Sequence, residues 1–425
     1  MLKKRKFWIH NILATAFIFG FMWLAGQALS IFDFLDPIGD ALKGYEVTDQ
    51  VFSEPKWRDI PPVEDRVVIV NIGNLSRGEI AQQLNIINHY EPKVVGMDAR
   101  FGSLKPDTLG DIMLMEALAN SPNVVMYAKL LDPDDDYVWH DAIYSHPLFT
   151  QNHPTAVMNL PVEAAGSQQF DFKTCRTFFP RDRLMLESGE IDTLYALGVE
   201  LANYLEPEKT KEFLDRNVDE ELINFRGNII DFGRTRHGNR FFALDAYDVL
   251  DTAFTPDLIK DKIVLMGFMG NSIFNPEAII EDKYFTPLNS QYTGRANPDM
   301  YGVVIHANII AMILNGDYLN QMSVNAGRIL SVLVCFLNVV LFSMIYNKIP
   351  RWYDGVTKLI QLLEALLFTF IIILVFHLFN FKLDLSWSII VVLLAGDSLE
   401  VYYGVIVNAF EKIGQKLFTK SKVAV

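Results

Sequence analysis

Hydrophobic positions along the chain follow two patterns. In the first, four apolar runs each reach the roughly 20 residues that an α-helix needs to cross a bilayer. These runs cover residues 7–29, 324–346, 358–379 and 386–409. In the second, short apolar runs alternate with amphipathic segments between the first and second long runs. Together, these two patterns predict one membrane-spanning helix, then a large globular domain over residues 30–323, then three further membrane-spanning helices.

The first part of the globular stretch alternates between strand and helix. Two helices are predicted, at 76–90 and 107–120, and the first begins with a capping-box pattern at Ser76 and Glu79. Three strands are predicted from segments that are apolar on both faces, at 66–73, 93–101 and 123–131. Strands of this kind, joined through helices, predict a mostly parallel sheet and an α/β domain of three layers.

The remainder of the globular stretch is less regular. Residues 132–190 are rich in Pro, Asp and Phe, and we interpret them as an irregular insertion with one strand near 155–161. The elements predicted after this insertion are helix 192–205, strand 221–227, helix 243–254, strand 260–270 and helix 301–316.

Positive charges near the membrane ends predict the orientation of the chain. Basic residues cluster in the head (1–6), in the loop between the second and third runs, and in the tail (410–425), whereas the loop after the third run has only Lys382. If every run crosses, both termini are cytoplasmic and residues 30–323 lie outside the cytoplasm, on the periplasmic or extracellular face of a bacterial inner membrane. The first run is predicted to remain as an anchor, with cleavage as a signal peptide as the alternative.

Charge and cysteine content narrow the function classes. The whole chain has a formal net charge of −14, and residues 30–323 hold 24 Lys and Arg against 45 Asp and Glu, a net charge of −21. So acidic a domain argues against nucleic acid as a partner. The two cysteines, Cys175 and Cys335, lie in different regions, so no internal disulfide is predicted. No cofactor or metal site is predicted.

Several motifs in the globular stretch resemble those of one known family. In order, KDKIVLMG (260–267), EDKYFTP (281–287) and YGVVIHANIIAMILNG (301–316) are similar to the closing signature of the CHASE type 2 domain, an extracellular sensory domain associated with cyclases and histidine kinases. The resemblance covers about residues 45–322 and implies a domain that binds a ligand or protein outside the cytoplasm. One departure is Asn74, where the family usually has an acidic residue.

The resemblance also implies a signalling partner. Members of this family normally continue into a cytoplasmic cyclase, kinase or phosphatase, whereas 16 residues follow the last apolar run here. We therefore expect a non-enzymatic sensory protein that signals through its membrane helices to a separate membrane or signalling protein, or within a homo-oligomer. The alternative is a structural or accessory subunit of an envelope complex, which would use the sensor fold as a docking scaffold.

Candidate binding residues follow from the predicted sheet, because ligands favour the carboxyl ends of parallel strands. His306 and Asn308 are polar positions in an apolar helix, about 200° apart around its axis, so they point in nearly opposite directions. His306 is either a structural residue or lines a crevice with Asp98 and the loop at 281–287. Asp98 and Arg100 are alternatively an ion pair. The candidates are Asp98, Arg100, Asp282, Thr286, His306 and Asn308.

The apolar runs contain acidic residues of their own. Asp397 and Glu400 lie three positions apart in the fourth run and so share a helix face, and Glu364 lies in the third run. A carboxylate inside a bilayer costs several kcal/mol unless it is neutralised, paired or hydrated, so such residues suggest function. Three interpretations remain open: protonated groups bonded to neighbouring helices, docking of a basic residue from another subunit, or an ion or proton path.

The connection between the domain and the membrane is short. Only seven residues, DYLNQMS, separate the helix predicted at 301–316 from the second apolar run. A connection of this length is expected to transmit a displacement of the helix and not absorb it.

Overall fold

The computed structural model describes residues 2–30, 46, 48–53, 57, 59–134, 138–150, 153–161, 163–164, 173–230, 237–274, 282–289 and 298–409. The chain divides into two compact units. Residues 40–319 form one, and residues 1–39 with 320–425 form the other. The predicted basic tail at 410–425 and parts of the predicted insertion at 132–190 lie outside the described residues.

The described secondary structure consists of helices and mostly short strands. The α-helices are α1 Leu2–Ser30, α2 Asp49–Ser53, α3 Arg77–His89, α4 Thr108–Ala119, α5 Pro147–Thr150, α6 Leu197–Leu205, α7 Pro207–Asp215, α8 Ala246–Leu250, α9 Gly302–Asn315, α10 Val324–Lys348, α11 Tyr353–Phe379 and α12 Ser386–Val401. The strands are β1 Glu64–Asn71, β2 Val94–Asp98, β3 Val124–Pro133, β4 Val138–Tyr144, β5 Thr155–Val157, β6 Glu163–Ala164, β7 Lys173–Thr174, β8 Thr177–Phe178, β9 Arg181–Met185, β10 Ile191–Tyr195, β11 Glu221–Leu222, β12 Phe241–Leu244, β13 Ile263–Gly267, β14 Lys283–Tyr284, β15 Met300–Tyr301, β16 Asn320–Gln321 and β17 Phe381–Lys382.

Nine of the described strands form one mixed sheet. Its order is β10-β9-β4-β3-β2-β13-β1-β12, with β5 paired to β3 beside this path. The central pairings, between β12, β1, β13, β2 and β3, are all parallel, whereas β4 pairs with β3 and β10 with β9 in antiparallel fashion. The last strand of this sheet in sequence order, β13, therefore inserts between β1 and β2 at the centre of the sheet.

Helices pack closely against the central strands. Val68, Met97 and Met266 on three central strands share one apolar core with Leu84 of α3 and Leu114 of α4. The α3 helix begins with the predicted capping box, in which the backbone N–H of Glu79 donates to the side chain of Ser76 and the Glu79 carboxylate accepts from the Ser76 backbone. This reciprocal pair satisfies two N–H groups that a helix start otherwise leaves unbonded.

Two glycines allow helices to approach the centre of the sheet. A Cβ atom at Gly96 of β2 would lie 2.5 Å from Leu201 of α6, and one at Gly267 of β13 would lie 2.8 Å from Val303 of α9. Both distances are too short for a larger side chain without movement of the neighbour. The absence of a side chain at these positions therefore sets how closely α6 and α9 pack on the strands.

For several elements of this unit, the predicted first or last residue was wrong. The helix predicted at 192–205 begins only at Leu197, because residues 191–195 form edge strand β10 against β9. The strand predicted at 221–227 is limited to Glu221–Leu222, and the predicted helix at 243–254 is the single short helix Ala246–Leu250. Strands β4 and β9 lie within the predicted irregular insertion, where the alternating pattern of an exposed edge was not recognised.

The last helix of this unit, α9, is apolar apart from His306, Asn308 and its last residue, Asn315, and is buried from Gly302 to Leu314. It ends at Gly316, whose φ of +66° is a left-handed conformation that costs a glycine little. The Gly316 amide donates to the Ile313 carbonyl and the Asp317 amide to the Met312 carbonyl. These two bonds satisfy carbonyl groups that the helix end would otherwise leave free.

The other unit contains four helices that are long and apolar enough to cross a membrane, over Arg5–Leu24, Val324–Lys348, Pro350–Phe379 and Ser386–Val407. Small and apolar side chains pack between them, including Ala14, Ala395 and Leu399. Polar side chains meet there as well: the hydroxyl of Ser343 in α10 donates to the side-chain oxygen of Asn11 in α1 over 2.7 Å.

Candidate ligand-binding site

A cavity of about 390 Å³ opens at the carboxyl ends of the central strands. The residues Asp98 at the end of β2 and Phe268 just after β13 place it at this edge of the sheet. The first turn of α9 closes one side. The lining residues are Ile72, Asp98, Ala99, Arg100, Tyr127, Lys129, Met158, Asn159, Leu160, Phe268, Asp282, Tyr284, Gly302, Val303 and His306. Ligand cavities of proteins usually fall in this size range.

Asp98 is the last residue of β2, where the sheet register places it opposite Gly267 of β13. Its side chain is half-buried, and among the described residues it forms neither a hydrogen bond nor an ion pair. Burial, with a smaller contribution from the negative charge of Asp282, raises the pKa of the Asp98 carboxyl to about 7. This carboxyl is therefore available to a ligand and close to its titration point at neutral pH.

Asp282 reaches the same cavity from the segment that precedes β14. Its side chain is exposed, and its backbone has a φ of 56°. The carbonyl of Asp282 accepts a hydrogen bond of 2.9 Å from the amide of Gly302, the first residue of α9. This bond fixes the Asp282 backbone to the start of α9. It thereby places a second carboxylate beside Asp98.

Arg100 also lines the cavity, but the predicted alternative of an ion pair with Asp98 is wrong. The Nε atom of Arg100 instead donates to the carbonyl of Tyr144 over 3.5 Å, at the surface. Arg100 and Lys129 thus provide positive charge on the cavity wall, and the Asp98 carboxylate has no described cation bound to it.

His306 is 2% exposed and lies one turn into α9. Its ring forms a hydrogen bond with the backbone of Met158, while Nδ1 has no partner in the described chain. Burial lowers the pKa of this imidazole to about 4, so it is neutral at neutral pH. The bond to Met158 orients the ring, and Nδ1 is enclosed by protein atoms without a partner in the described chain.

Asn308 does not belong to the cavity. Its side-chain oxygen accepts from the amides of Arg226 and Gly227, at 2.7 and 3.1 Å, and its amide group donates to the carbonyls of Gly227 and Val304, at 3.0 and 2.8 Å. All of these partners belong to the protein, so Asn308 fastens α9 to the segment after β11. His306 and Asn308 face different segments, as their separation by two positions in the sequence predicts.

Thr286 is likewise turned away from the cavity. It is fully buried, and both its amide and its hydroxyl donate to the carboxylate of Asp299, at 2.8 and 2.6 Å. Burial raises the pKa of Asp299 to about 7 despite these bonds. Of the six candidates, the structure therefore brings Asp98, Arg100, Asp282 and His306 together and leaves Thr286 and Asn308 elsewhere.

The cavity is also lined by polar and aromatic residues that could not be selected from the sequence. Tyr127 and Lys129 belong to β3, which continues beyond the end of β2, and Tyr284 belongs to β14. Burial raises the pKa values of both tyrosines, so their hydroxyl groups stay protonated. Within the described residues, no three metal-ligating side chains of His, Cys, Asp or Glu converge.

Comparison with protein families supports the resemblance seen in the sequence. The family model described as the CHASE2 domain matches residues 34–345, well over half of the chain. The chain belongs to the CHASE2 family. Searches of curated proteins and of solved structures found no match.

The acidic residues in the long apolar helices of this CHASE2 protein have different surroundings. Asp397 of α12 is paired with Lys358 of α11, whose Nζ lies 2.6 and 2.5 Å from the two carboxylate oxygens. Glu364 shares a side-chain hydrogen bond with Asn338, and its Oε2 atom has no partner in the described part of the chain. Glu400 is exposed on α12 and makes no hydrogen bond or ion pair with described residues.

Proposed function

We propose that this protein is a non-enzymatic membrane sensor whose CHASE2 domain binds a small ligand in the cavity between Asp98 and His306. The observation that supports it most directly is the Asp98 carboxylate, which lines the cavity at the carboxyl edge of the sheet and has no partner among the described residues. A buried or half-buried polar group without a hydrogen bond costs free energy, and a ligand that supplies the bond recovers that cost. Because CHASE2 is a sensory domain of the extracellular type, the cavity is its natural binding site.

The proposed location of the domain is the outer face of a bacterial inner membrane, with both termini in the cytoplasm. One helix would span the membrane before the CHASE2 domain and three after it. The four apolar helices and the distribution of basic residues support this orientation. Within the domain, α3 and α4 would cover one face of the sheet and α6 and α9 the other, giving three layers. The packing of Gly96 on Leu201 and of Met97 in the core with Leu84 supports opposite faces.

The proposed signal leaves the cavity through α9. His306 and the first turn of this helix line the cavity, and eight residues separate its last residue, Asn315, from the first residue of α10. The first part of this connecting segment is held to the CHASE2 domain. The Asp317 carboxylate pairs with Arg226 at 3.3 Å, and the Asp317 carbonyl accepts from Asn224 at 2.9 Å. A shift of α9 would therefore displace this first part of the segment together with the helix.

The second part of the segment is bonded to the loop between α11 and α12. The Asn320 amide donates to the Asn380 carbonyl and the Met322 amide to the Lys382 carbonyl, each over 2.9 Å, through the parallel pair β16 and β17. Three membrane helices, α10, α11 and α12, thus meet at one short ladder. We infer that displacement of this ladder changes the packing of these helices and is passed to a second protein or to another copy of the chain.

The test uses the intact protein in detergent or nanodiscs and the small-molecule fraction of an envelope extract. A ligand that binds the folded state raises the midpoint of thermal unfolding. The variant Leu160→Trp narrows the cavity and is expected to abolish the increase, whereas Leu104→Trp, at an exposed position outside the lining, keeps it. If no fraction stabilises the protein, the scaffold alternative is favoured.

Location and partner choice need separate tests. A single cysteine at the exposed position Asp257, in a variant without Cys175 and Cys335, should react with a membrane-impermeant maleimide in whole spheroplasts. Protection until the membrane is opened would place the domain in the cytoplasm and reject the proposal. Loss of copurifying proteins from a Glu400→Leu variant, which keeps the pair between Lys358 and Asp397, would support docking of a partner at this face of α12, and unchanged copurification would reject it.

A further inference from the structure

Glu364 and Asn338 are polar residues near the middle of two long apolar helices. Glu364 is the twelfth of the 27 residues of α11, and Asn338 is the fifteenth of the 25 residues of α10. The neighbouring side chains of Leu363 and Leu367 are more than half exposed, so they would face lipid tails if these helices span the membrane. Water and counter-ions are scarce at that depth. The Glu364 carboxyl must therefore find its partners within the protein.

The orientation of the Asn338 amide group is fixed by its own helix. Its Nδ2 atom donates to the carbonyl of Val334 over 3.2 Å, a bond that the amide oxygen could not make. Asn338 also shares a side-chain hydrogen bond with Glu364, in which the amide group is the donor. The two N–H groups of Nδ2 are therefore both used, and Oδ1 remains as an acceptor that needs a donor.

Two buried oxygen atoms of this pair, Oδ1 of Asn338 and Oε2 of Glu364, have no partner in the described part of the chain. Asn338 as a whole is only 5% exposed, so its surroundings are protein. If the carboxyl is ionised, both oxygens are acceptors and neither can bond to the other. A proton on Oε2 turns that atom into a donor, and the neighbouring side chain holds an acceptor without a donor. A single proton therefore satisfies both atoms.

The charged residues of the adjacent helices are placed elsewhere. Lys358, the nearest cation along α11, is paired with Asp397 of α12. The charged residues of α10 are Arg328 and Lys348, which lie ten positions before and ten positions after Asn338. Among the described residues, none forms an ion pair with Glu364. The surroundings of Glu364 therefore favour a neutral acid over a carboxylate.

We propose that Glu364 and Asn338 form a proton-binding site between α10 and α11, in which the neutral acid accepts from Nδ2 of Asn338 and donates from Oε2 to Oδ1. The inference rests on the proposed membrane location of these helices. The site would link α10 to α11 at mid-span, in addition to the ladder of β16 and β17 at one end. Loss of the proton would replace one hydrogen bond by repulsion between two acceptors, so the packing of α10 on α11 becomes linked to protonation.

The experiment compares infrared spectra of the intact protein and of Glu364→Gln in nanodiscs at pH 7.5. The difference between the two spectra removes the contributions of all other carboxyl groups. We expect the variant to lose the C=O band of a protonated carboxylic acid and to keep every carboxylate band. Asp397→Asn is the matched control and should lose a carboxylate band, because Asp397 is paired with Lys358. Loss of a carboxylate band from Glu364→Gln, with the acid band unchanged, overturns the proposal.

Two further variants test the partner and the link between the helices. Asn338→Leu should keep the acid band and shift it to higher frequency, since the carboxyl loses its hydrogen bonds to the amide. Glutamine has the donor and the acceptor of the neutral acid, so Glu364→Gln should unfold at the temperature of the parent protein. Glu364→Leu has neither and should unfold at a lower temperature. An acid band that Asn338→Leu leaves in place, or equal unfolding temperatures of Glu364→Gln and Glu364→Leu, would overturn the pairing.

Failure of this inference is distinguishable from failure of the proposed function. If the envelope fraction stabilises the protein and Glu364 is ionised, the sensor stands and the proton-binding site is rejected. If Glu364 carries the acid band and no fraction stabilises the protein, the site stands and ligand sensing is rejected.

Discussion

Asn308 bonds to both sides of the Gly227 backbone, accepting from its amide at 3.1 Å and donating to its carbonyl at 3.0 Å. Gly227 has a φ of +156°, and a Cβ there would lie 2.3 Å from the carbonyl of His237. The buried Asn308 side chain therefore holds the backbone at Gly227, which its surroundings already confine to one conformation. This explains why a polar residue stands in an apolar helix without any ligand in contact with it.

Replacing Asn308 with Leu should destabilise the CHASE2 domain strongly. The Arg226 and Gly227 groups would lose their partners inside the protein, and each such group costs about 1–3 kcal/mol. We expect the unfolding free energy to fall by about 3 kcal/mol or more, measured by denaturant unfolding of the intact protein. Binding of the stabilising extract fraction by the remaining folded protein should be unchanged. A stability equal to that of the unmodified protein would contradict the structural role.

Asp98→Asn should stabilise the protein at high pH and leave it unchanged at low pH. The folded-state pKa of about 7 lies above the ordinary value of 3.8, so the folded protein holds a proton that the unfolded chain has released. Stability therefore falls as pH rises from about 4 to about 7. The asparagine cannot ionise and avoids this loss. Thermal unfolding at pH 5 and pH 8 should show a difference between variant and parent only at pH 8.

The exposed residue Asp257 provides the matched control for this comparison. Asp257→Asn should change the unfolding temperature equally at both pH values, since the side chain is exposed in the folded protein. A pH-independent effect of Asp98→Asn would show that the carboxyl is already ionised at pH 5 in the folded protein, which would contradict its raised pKa.

His306→Gln should have the opposite pH dependence. The folded-state pKa of about 4 lies below the ordinary 6.5, so the unfolded chain takes up a proton first as the solution is acidified. The stability associated with neutral His306 is complete above about pH 6.5 and is lost progressively down to about pH 4. Glutamine does not titrate and removes this loss. The stability of the variant relative to that of the parent should therefore be higher at pH 5 than at pH 8. A constant difference from pH 5 to pH 8 would contradict burial of the ring.

The sequence predicted the central part of the fold well because local signals there agreed with one another. The apolar strands near Val68, Val95 and Val264 are buried on both faces, and the capping residues Ser76 and Glu79 mark the start of α3. The edge of the sheet was not predicted. Strands β4, β9 and β10 have exposed and polar positions, and their pairing depends on contacts between segments distant in sequence.

The same distinction applies to the candidate site. Asp98 could be selected because it ends a recognisable strand, and His306 because it interrupts an apolar helix. Tyr127 and Tyr284 could not be selected, since an aromatic residue in a strand usually indicates a core position. Thr286 was selected for its loop and proved to be a buried partner of Asp299, a contact for which the sequence has no signal.

The ion pair between Lys358 and Asp397 predicts an asymmetry between single and double variants. In the parent protein, Nζ of Lys358 lies 2.5 Å from a carboxylate oxygen of Asp397. Lys358→Met leaves this carboxylate without its cation, on helices proposed to span the membrane. An unpaired charge in that environment is more costly than either the pair or its replacement by apolar side chains. In nanodiscs, Lys358→Met should therefore lower the unfolding temperature more than Lys358→Met combined with Asp397→Leu. Equal losses from the single and double variants would show that the pair is hydrated and contributes little.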